Sequence, residues 1–144
     1  MIRILKATKD GLGLAAPQVG VDKQIIVFRE SLNSNEFNVM VNPLIEDQSL
    51  ISVQSREGCL SFPGYETIVS RHAQVKVRWK TLDFQDQSEW LEKTRSVVFQ
   101  HENDHLQGIC PVRDTWEKAV GRTPKDIEEV VIPENIKQEL QAIT

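Results

Sequence analysis

The run His101-Glu102-Asn103-Asp104-His105 constrains this chain more than any other feature. Residues four apart sit one above the other on a helix face, so this spacing brings both imidazoles to one point if the segment is helical. Glu102 then projects beside the same point, where a carboxylate can bind and deprotonate a metal's water. The plain alternative is two surface histidines on an amphipathic helix. The chain holds three histidines in all and two of them fall in this spacing, which favours metal. A helix is therefore expected over residues 95–107, with Thr94 as its N-cap and Gly108 in the C-terminal capping position.

The segments before that helix read mostly as strands. Residues 24–29 are an apolar run suited to a strand buried on both faces. Residues 37–42 suit a second strand, stopped at Asn42-Pro43, and 44–49 a third. Residues 66–71 and 74–81 look like a pair; in the latter Val75, Val77 and Trp79 alternate with Lys76, Arg78 and Lys80, giving one dry face and one wet. Residues 83–86 read as a turn and 89–93 as the returning strand. At the start, residues 1–9 suit a helix with Ile2, Leu5 and Lys9 toward one side, broken by Asp10-Gly11-Leu12-Gly13. A last short helix is expected over 133–143. The pattern implies an α+β fold, with antiparallel or mixed sheets packed around one central helix. Its 144 residues suit a single catalytic domain, 1–144.

The net charge of −4 argues against nucleic acid as the main partner, since phosphate binding shows as excess Lys and Arg. No apolar run approaches the roughly 18 residues of a membrane span. The first residues are too few and too charged for a signal peptide, which makes a cytoplasmic location the expectation. The two cysteines, Cys59 and Cys110, then read as free thiols. Cys110 reads as a buried thiol with no chemistry of its own.

Two histidines do not complete a catalytic metal site, which usually takes three ligands from protein and keeps one position for water. The candidates for the third are Cys59, His72 and a downstream carboxylate, Glu128 or Glu129. No histidine follows His105, which excludes a His-terminated metallopeptidase; a Glu-terminated zinc endopeptidase and a purely structural metal site stay open. Two further segments are informative. In Arg56-Glu57-Gly58-Cys59-Leu60-Ser61 a permissive glycine precedes the thiol and a short strand-like stretch follows it. Residues 11–18, Gly-Leu-Gly-Leu-Ala-Ala-Pro-Gln, are small enough for close backbone approach and end on the amide of Gln18.

Taken together, these segments resemble the peptide deformylase family. That family carries, in this order, Gly-apolar-Gly-apolar-Ala-Ala-x-Gln, then Glu-Gly-Cys-apolar-Ser, then Gln-His-Glu-apolar-Asp-His-Leu-x-Gly. They stand here at 11–18, 57–61 and 100–108. The resemblance implies a divalent metal on Cys59, His101 and His105, with water as fourth ligand. Ferrous iron is the family's common physiological metal, and Zn2+, Ni2+ or Co2+ can stand in its place. It implies Glu102 as general acid and base, and the Gln18 side-chain amide and Leu60 backbone N–H as donors to the oxygen that gains charge. Gly13 would keep its loop close to the substrate, an N-formylmethionyl peptide or nascent chain, cleaved to formate and a free amino terminus. A methionine pocket would be lined by Leu12, Val97 and Val98. Asp104 and Arg71 are expected to orient the ligating imidazoles, which usually donate their second N–H to an oxygen. The implied setting is the cytoplasm of a bacterial or infected bacterial cell. The basic C-terminal helix that docks bacterial members on the ribosome has no counterpart after Asp114, and the segment before Gly11 is short for the family. Asn103 stands where the family has an apolar residue. Burying an unpaired amide costs about 1–3 kcal/mol, so Asn103 should find partners or water.

Overall fold

A computed structural model describes residues 1–8 and 11–120. Lys9, Glu128, Glu129 and the helix expected over 133–143 lie outside the described residues. The chain opens with helix α1 (Ile2–Ala7), then runs through β1 (Gly13–Ala15) and a single 3-10 turn, Ala16–Val19. Strands β2 (Ile25–Phe28), β3 (Asn38–Gln48), β4 (Ser52–Gly58), β5 (Glu66–His72), β6 (Gln74–Lys80) and β7 (Asp86–Glu92) follow. Helix α2 (Lys93–Leu106) and helix α3 (Pro111–Val120) complete the described chain. Five strands form one antiparallel sheet in the order β1-β2-β3-β6-β7, while β4 and β5 pair only with each other.

This is the expected α+β arrangement, and α2 is its central helix. Ile26 and Phe28 of β2 point into the main core with Met40, Val75, Val77 and Leu91, where α2 adds Val98 and Phe99. Val27, pointing the other way, joins Ile4, Leu5 and Leu14 under α1. The run 24–29 is thus apolar throughout because both its faces are covered. No helix among the described residues is long and apolar enough to cross a membrane.

Four expectations need correction, and one helix was not expected. Residues 66–71 and 74–81 do not pair with each other: β5 pairs with β4 and β6 with β3 and β7, because the single residue between the two strands is too short for a hairpin. The two strands expected on either side of Pro43 are one strand, β3. Proline cannot donate to a ladder, and its cost is avoided because the register with β6 shifts between Val41 and Leu44, an irregularity of the kind that tolerates it. Strand β4 begins well before Gly58, and the residues after Cys59 form a turn, with the Phe62 N–H donating to the Cys59 carbonyl at 3.0 Å. Thr94 does not cap α2, which starts at Lys93 with no side-chain cap. Helix α3 was not expected, although Pro111 at its first position and Asp114 in its first turn are ordinary helix-start signals.

The end of α2 follows the expectation. Gly108 takes φ 76°, its N–H donates to the His105 carbonyl at 3.1 Å, and the Ile109 N–H donates to the Asp104 carbonyl at 2.9 Å. This double closure satisfies the last helical carbonyls. It ends the helix directly after His105 and Leu106.

Candidate metal centre

Strand β4 and helix α2 meet at one point. Cys59 follows the end of β4, and His101 and His105 lie one turn apart on α2. The Cys59 Sγ lies 3.4 Å from His105 Nε2, and the two Nε2 atoms are 3.3 Å apart. All three donor atoms fall within 4.8 Å of one another, and among the described residues they are the one such group. His72 stays out of it, its Nδ1 facing the Ser49 carbonyl at 2.9 Å.

The protonation pattern suits a cation. His101 Nδ1 lies 2.8 Å from Glu57 Oε1, so that nitrogen carries a hydrogen and Nε2 turns toward the cluster; burial opposes a charge on this ring, but Glu57 and Glu102 raise its pKa above the ordinary value. Burial pushes His105 down to about 3, which keeps its ring neutral. The two Nε2 atoms face each other at short range beside a sulfur. In the metal-free chain a shared proton can bridge the two nitrogens, and a thiolate with two imidazoles is a donor set for borderline divalent metals. The Cys59 thiol is raised well above its ordinary range by neighbouring Cys110 and by burial. It therefore ionises only if a cation compensates.

Behind His101 stands a buried ion-pair chain. Burial opposes the charge on Glu57, but its hydrogen bonds from Arg71 and His101 bring it down to about 2. Arg71 grips Glu57 with two bonds, Nε to Oε2 at 2.9 Å and Nη2 to Oε1 at 2.7 Å, and reaches Asp104 Oδ2 with Nη1 at 2.5 Å. The carboxylate on the His101 ring is thus Glu57. Asp104, expected to face an imidazole directly, bonds to Arg71 instead. Glu57 was missed as a partner, because nothing local in the sequence shows that β4 meets α2.

Glu102 is the opposite case. It is 3% exposed, its Oε2 is fully enclosed with no partner, and its Oε1 lies 3.9 Å from His101 Nε2. Burial pushes it up to about 7, near the value useful for moving protons at neutral pH. Gly13 makes room for it: a Cβ there would fall 2.7 Å from Glu102 Cγ and 2.9 Å from its Oε1. The turn after Gly13 fixes Gln18. Its Oε1 accepts the Ala15 N–H at 2.8 Å, which orients the amide so that Nε2 donates to Ser61 Oγ at 3.1 Å and reaches Cys59 Sγ at 3.5 Å.

The model of the polypeptide deformylase family matches residues 1–118. The chain belongs to that family. It is 41% identical over 102 residues to peptide deformylase 1B, chloroplastic/mitochondrial, of Arabidopsis thaliana, an alignment covering 69% of this chain and 37% of that protein. The peptide deformylase of Fusobacterium nucleatum is 39% identical over 134 residues, covering 93% of this chain and 72% of that one. Among solved structures, the peptide deformylase of Plasmodium falciparum superposes with a TM-score of 0.75 at 33% identity, covering 83% of this chain and 74% of that chain. The chain spans between 37% and 62% of the length of the first curated deformylases it matches.

The residues expected to line a deformylase methionine pocket divide. Val98 is buried in the main core beside Phe99, Val97 is half-buried, and Leu12 packs partly against the same core. Leu60 lies against the α1 cluster, close enough that a Cβ on Gly11 would meet its Cδ1 at 2.9 Å. Segment 11–13 is thus wedged between Leu60 on one side and Glu102 on the other. Asn103, the residue atypical for a deformylase, is buried at 8% exposure.

Proposed function

We propose that this chain, acting as one catalytic domain, hydrolyses the formyl group from N-formylmethionyl peptides or nascent chains, releasing formate. One observation carries the reading. Three donors, Cys59 Sγ, His101 Nε2 and His105 Nε2, converge beside a carboxylate whose Oε2 is enclosed and without a partner. A closed structural site would need a fourth protein donor and no such acid.

Cys59, His101 and His105 would hold the metal. Ferrous iron is the physiological candidate on this reading, and the same donors accept Zn2+, Ni2+ or Co2+. A divalent cation there would supply Lewis acidity and make a water acidic enough to react near neutral pH. Glu102 takes the proton of the attacking water at Oε2 and later delivers one to the leaving amine. Glu57 holds the His101 ring in the tautomer that keeps Nε2 free, and Arg71 holds Glu57. Gln18, with its carbonyl tied to Ala15, can present only N–H groups toward the site, and it donates one to the formyl oxygen as charge builds there. The Leu60 backbone N–H is the second donor. Gly13 serves the chemistry by admitting Glu102 as well as by letting the substrate approach. Leu12 and Val97 line the methionine side. The reaction belongs in the cytoplasm of a bacterial or infected bacterial cell, where formylated nascent chains arise.

The test is formate release from a formyl-Met peptide by reduced protein loaded anaerobically with ferrous iron, against the acetyl-Met analogue. Formate from the first substrate alone is expected. Glu102→Gln should keep the metal and lose turnover by roughly 10²–10⁴. Metal bound in one-to-one ratio with no formate released would sink the proposal.

A further inference from the structure

Arg29 directly follows β2 and is 5% exposed, yet it touches none of the groups at the metal centre. Taking a guanidinium out of water is costly unless its donors find acceptors. Two of them find main-chain carbonyls: Nε donates to the Gly11 carbonyl at 3.1 Å, and Nη2 to the Leu5 carbonyl at 3.2 Å. The Phe37 ring centre lies 5.6 Å from Cζ and holds the guanidinium from a further side. One buried side chain thus ties helix α1 to the segment that leads into β1.

The two residues it holds share a neighbour. Leu60 packs against the apolar cluster that contains Leu5. A Cβ built on Gly11 would fall 2.9 Å from Leu60 Cδ1 and 3.3 Å from Leu5 Cδ2, so the three residues meet at one point with no room to spare. Leu60 is also fixed from both chain neighbours. Cys59 Sγ lies 3.4 Å from His105 Nε2, and Ser61 Oγ accepts the Gln18 amide at 3.1 Å. Where the Leu60 side chain is seated therefore decides how the backbone between Cys59 and Ser61 is turned.

We infer that Arg29 is a positioning residue for the hydrolysis: by clamping the Leu5 and Gly11 carbonyls it builds the seat of the Leu60 side chain, and through that seat it aims the Leu60 backbone N–H. The role of this N–H as a donor to the formyl oxygen rests on the deformylase reading; the clamp and the seat rest on the contacts alone.

Arginine suits the task because its donors form a rigid fork, which can hold carbonyls on two different segments at once. Lysine carries the same charge on a single point. Methionine fills most of the space and donates to neither carbonyl, so Gly11 can draw away and Leu60 can follow. A donor to an oxygen that gains charge acts in the transition state, so misaiming it lowers kcat and leaves KM nearly unchanged. The three metal donors stand on neither α1 nor the Gly11 segment, and metal uptake should not change.

The experiment is a double-mutant cycle in the full-length protein. It reads kcat and KM for a formyl-Met peptide per bound ferrous ion, and the Leu60 backbone amide by NMR in zinc-loaded protein. Arg29→Met should bind metal one to one and lose roughly tenfold in kcat, less than the roughly 10²–10³ that follows from removing such a donor outright. Arg29→Lys should recover part of that loss. Leu60→Ala removes the seated side chain but keeps the N–H. In that background Arg29→Met should cost almost nothing further, because residues that act through one another are not additive. The Leu60 amide resonance should shift in Arg29→Met while those of Val77 and Leu91, in the main core, stay in place. Losses that multiply in the double variant overturn the proposal, as does a lower melting temperature with kcat per bound metal unchanged, or a Leu60 amide that does not move. If Arg29→Met folds too poorly to assay, Arg29→Lys runs the same cycle with a smaller loss. If the unaltered chain releases no formate, the deformylase reading fails by itself, and the amide shift still decides whether Arg29 seats Leu60.

Discussion

The two sheets of this protein are held in place by different physics. In the five-stranded sheet, β2, β3, β6 and β7 bury Ile26, Phe28, Met40, Val75, Val77 and Leu91 against α2, and apolar burial does the work. In the two-stranded sheet the one buried residue of β4 is Glu57 and the one buried residue of β5 is Arg71. That sheet brings no aliphatic side chain to the core. Arg71 and Glu57 tie it to α2 through His101 and Asp104, and the Gln100 side chain adds bonds to the backbone of His72 at 2.9 and 2.8 Å. Apolar packing is tolerant of shape and indifferent to charge, whereas a bonded ion-pair chain fixes direction. The sheet that must aim Cys59 at two histidines is attached by the kind of contact that aims.

The comparison breaks first if the scaffold does not dominate stability. Phe99→Ala deletes a fully buried ring and should cost about 3–5 kcal/mol, read as a fall in melting temperature or denaturation midpoint. The folded fraction should still bind one metal. A loss of metal affinity without loss of stability would mean that α2 owes its place to the polar attachment.

The second, smaller effect tests the other sheet. Arg71→Leu leaves Glu57 and Asp104 without their shared cation and frees the carboxylate that sets the His101 tautomer. Loss of such an outer partner typically lowers metal affinity by about 10–100-fold. Metal titration of the metal-free protein should show that drop, with a smaller cost in stability than Phe99→Ala. Equal losses in both quantities would show that Arg71 simply holds the fold.

Acid should separate the sheets next. Glu57 has its folded value depressed from 4.5 to about 2. A depressed carboxylate contributes stability that is fully present above its unfolded value and is lost as pH falls toward the folded one. The attachment of β4 and β5 should therefore weaken between about pH 4.5 and 2. Amide exchange in β4 and β5 should speed up in that window before exchange in β2 and β6 does. Uniform acceleration across both sheets would erase the distinction.

Legibility in the sequence followed the same division. The apolar run of β2, the alternation of β6 and the Gly108 stop of α2 were readable because each is a periodic or local signal that burial produces directly. Strand β4 was not readable, since Ser52, Val53, Gln54, Ser55 and Arg56 carry no alternation when both faces are largely wet. Pro43 misled because the irregularity that accommodates it depends on the register with β6, which is tertiary information. At the site, spacing pointed to His101, Glu102 and His105, and the family resemblance implied Cys59 as the third ligand, but the partner of His101 depends on which strand meets which helix. Glu57 became visible as the partner of His101 only when chain segments more than forty residues apart were brought into contact.

The smallest expected effect is also the most diagnostic. Glu102 and Glu57 are both buried carboxylates, but Glu102 is held near 7 by burial where Glu57 is held near 2 by its partners. A carboxylate whose folded value is raised binds its proton more tightly folded than unfolded, so stability falls as pH climbs from 4.5 to about 7 and stays reduced above it. In metal-free protein, Glu102→Gln removes that charge while keeping the shape. The variant should match the unaltered chain in acid and exceed it above pH 7, by something on the order of 1–2 kcal/mol. Denaturation of both proteins at several pH values measures the difference directly. A gap that stays constant with pH would mean that Glu102 finds a partner when ionised, and its enclosed oxygen would no longer mark a site that sacrifices stability for proton transfer. If the gap opens with pH and closes on adding metal, the charge that Glu102 lacks in the metal-free chain is the one the three converging donors are arranged to hold.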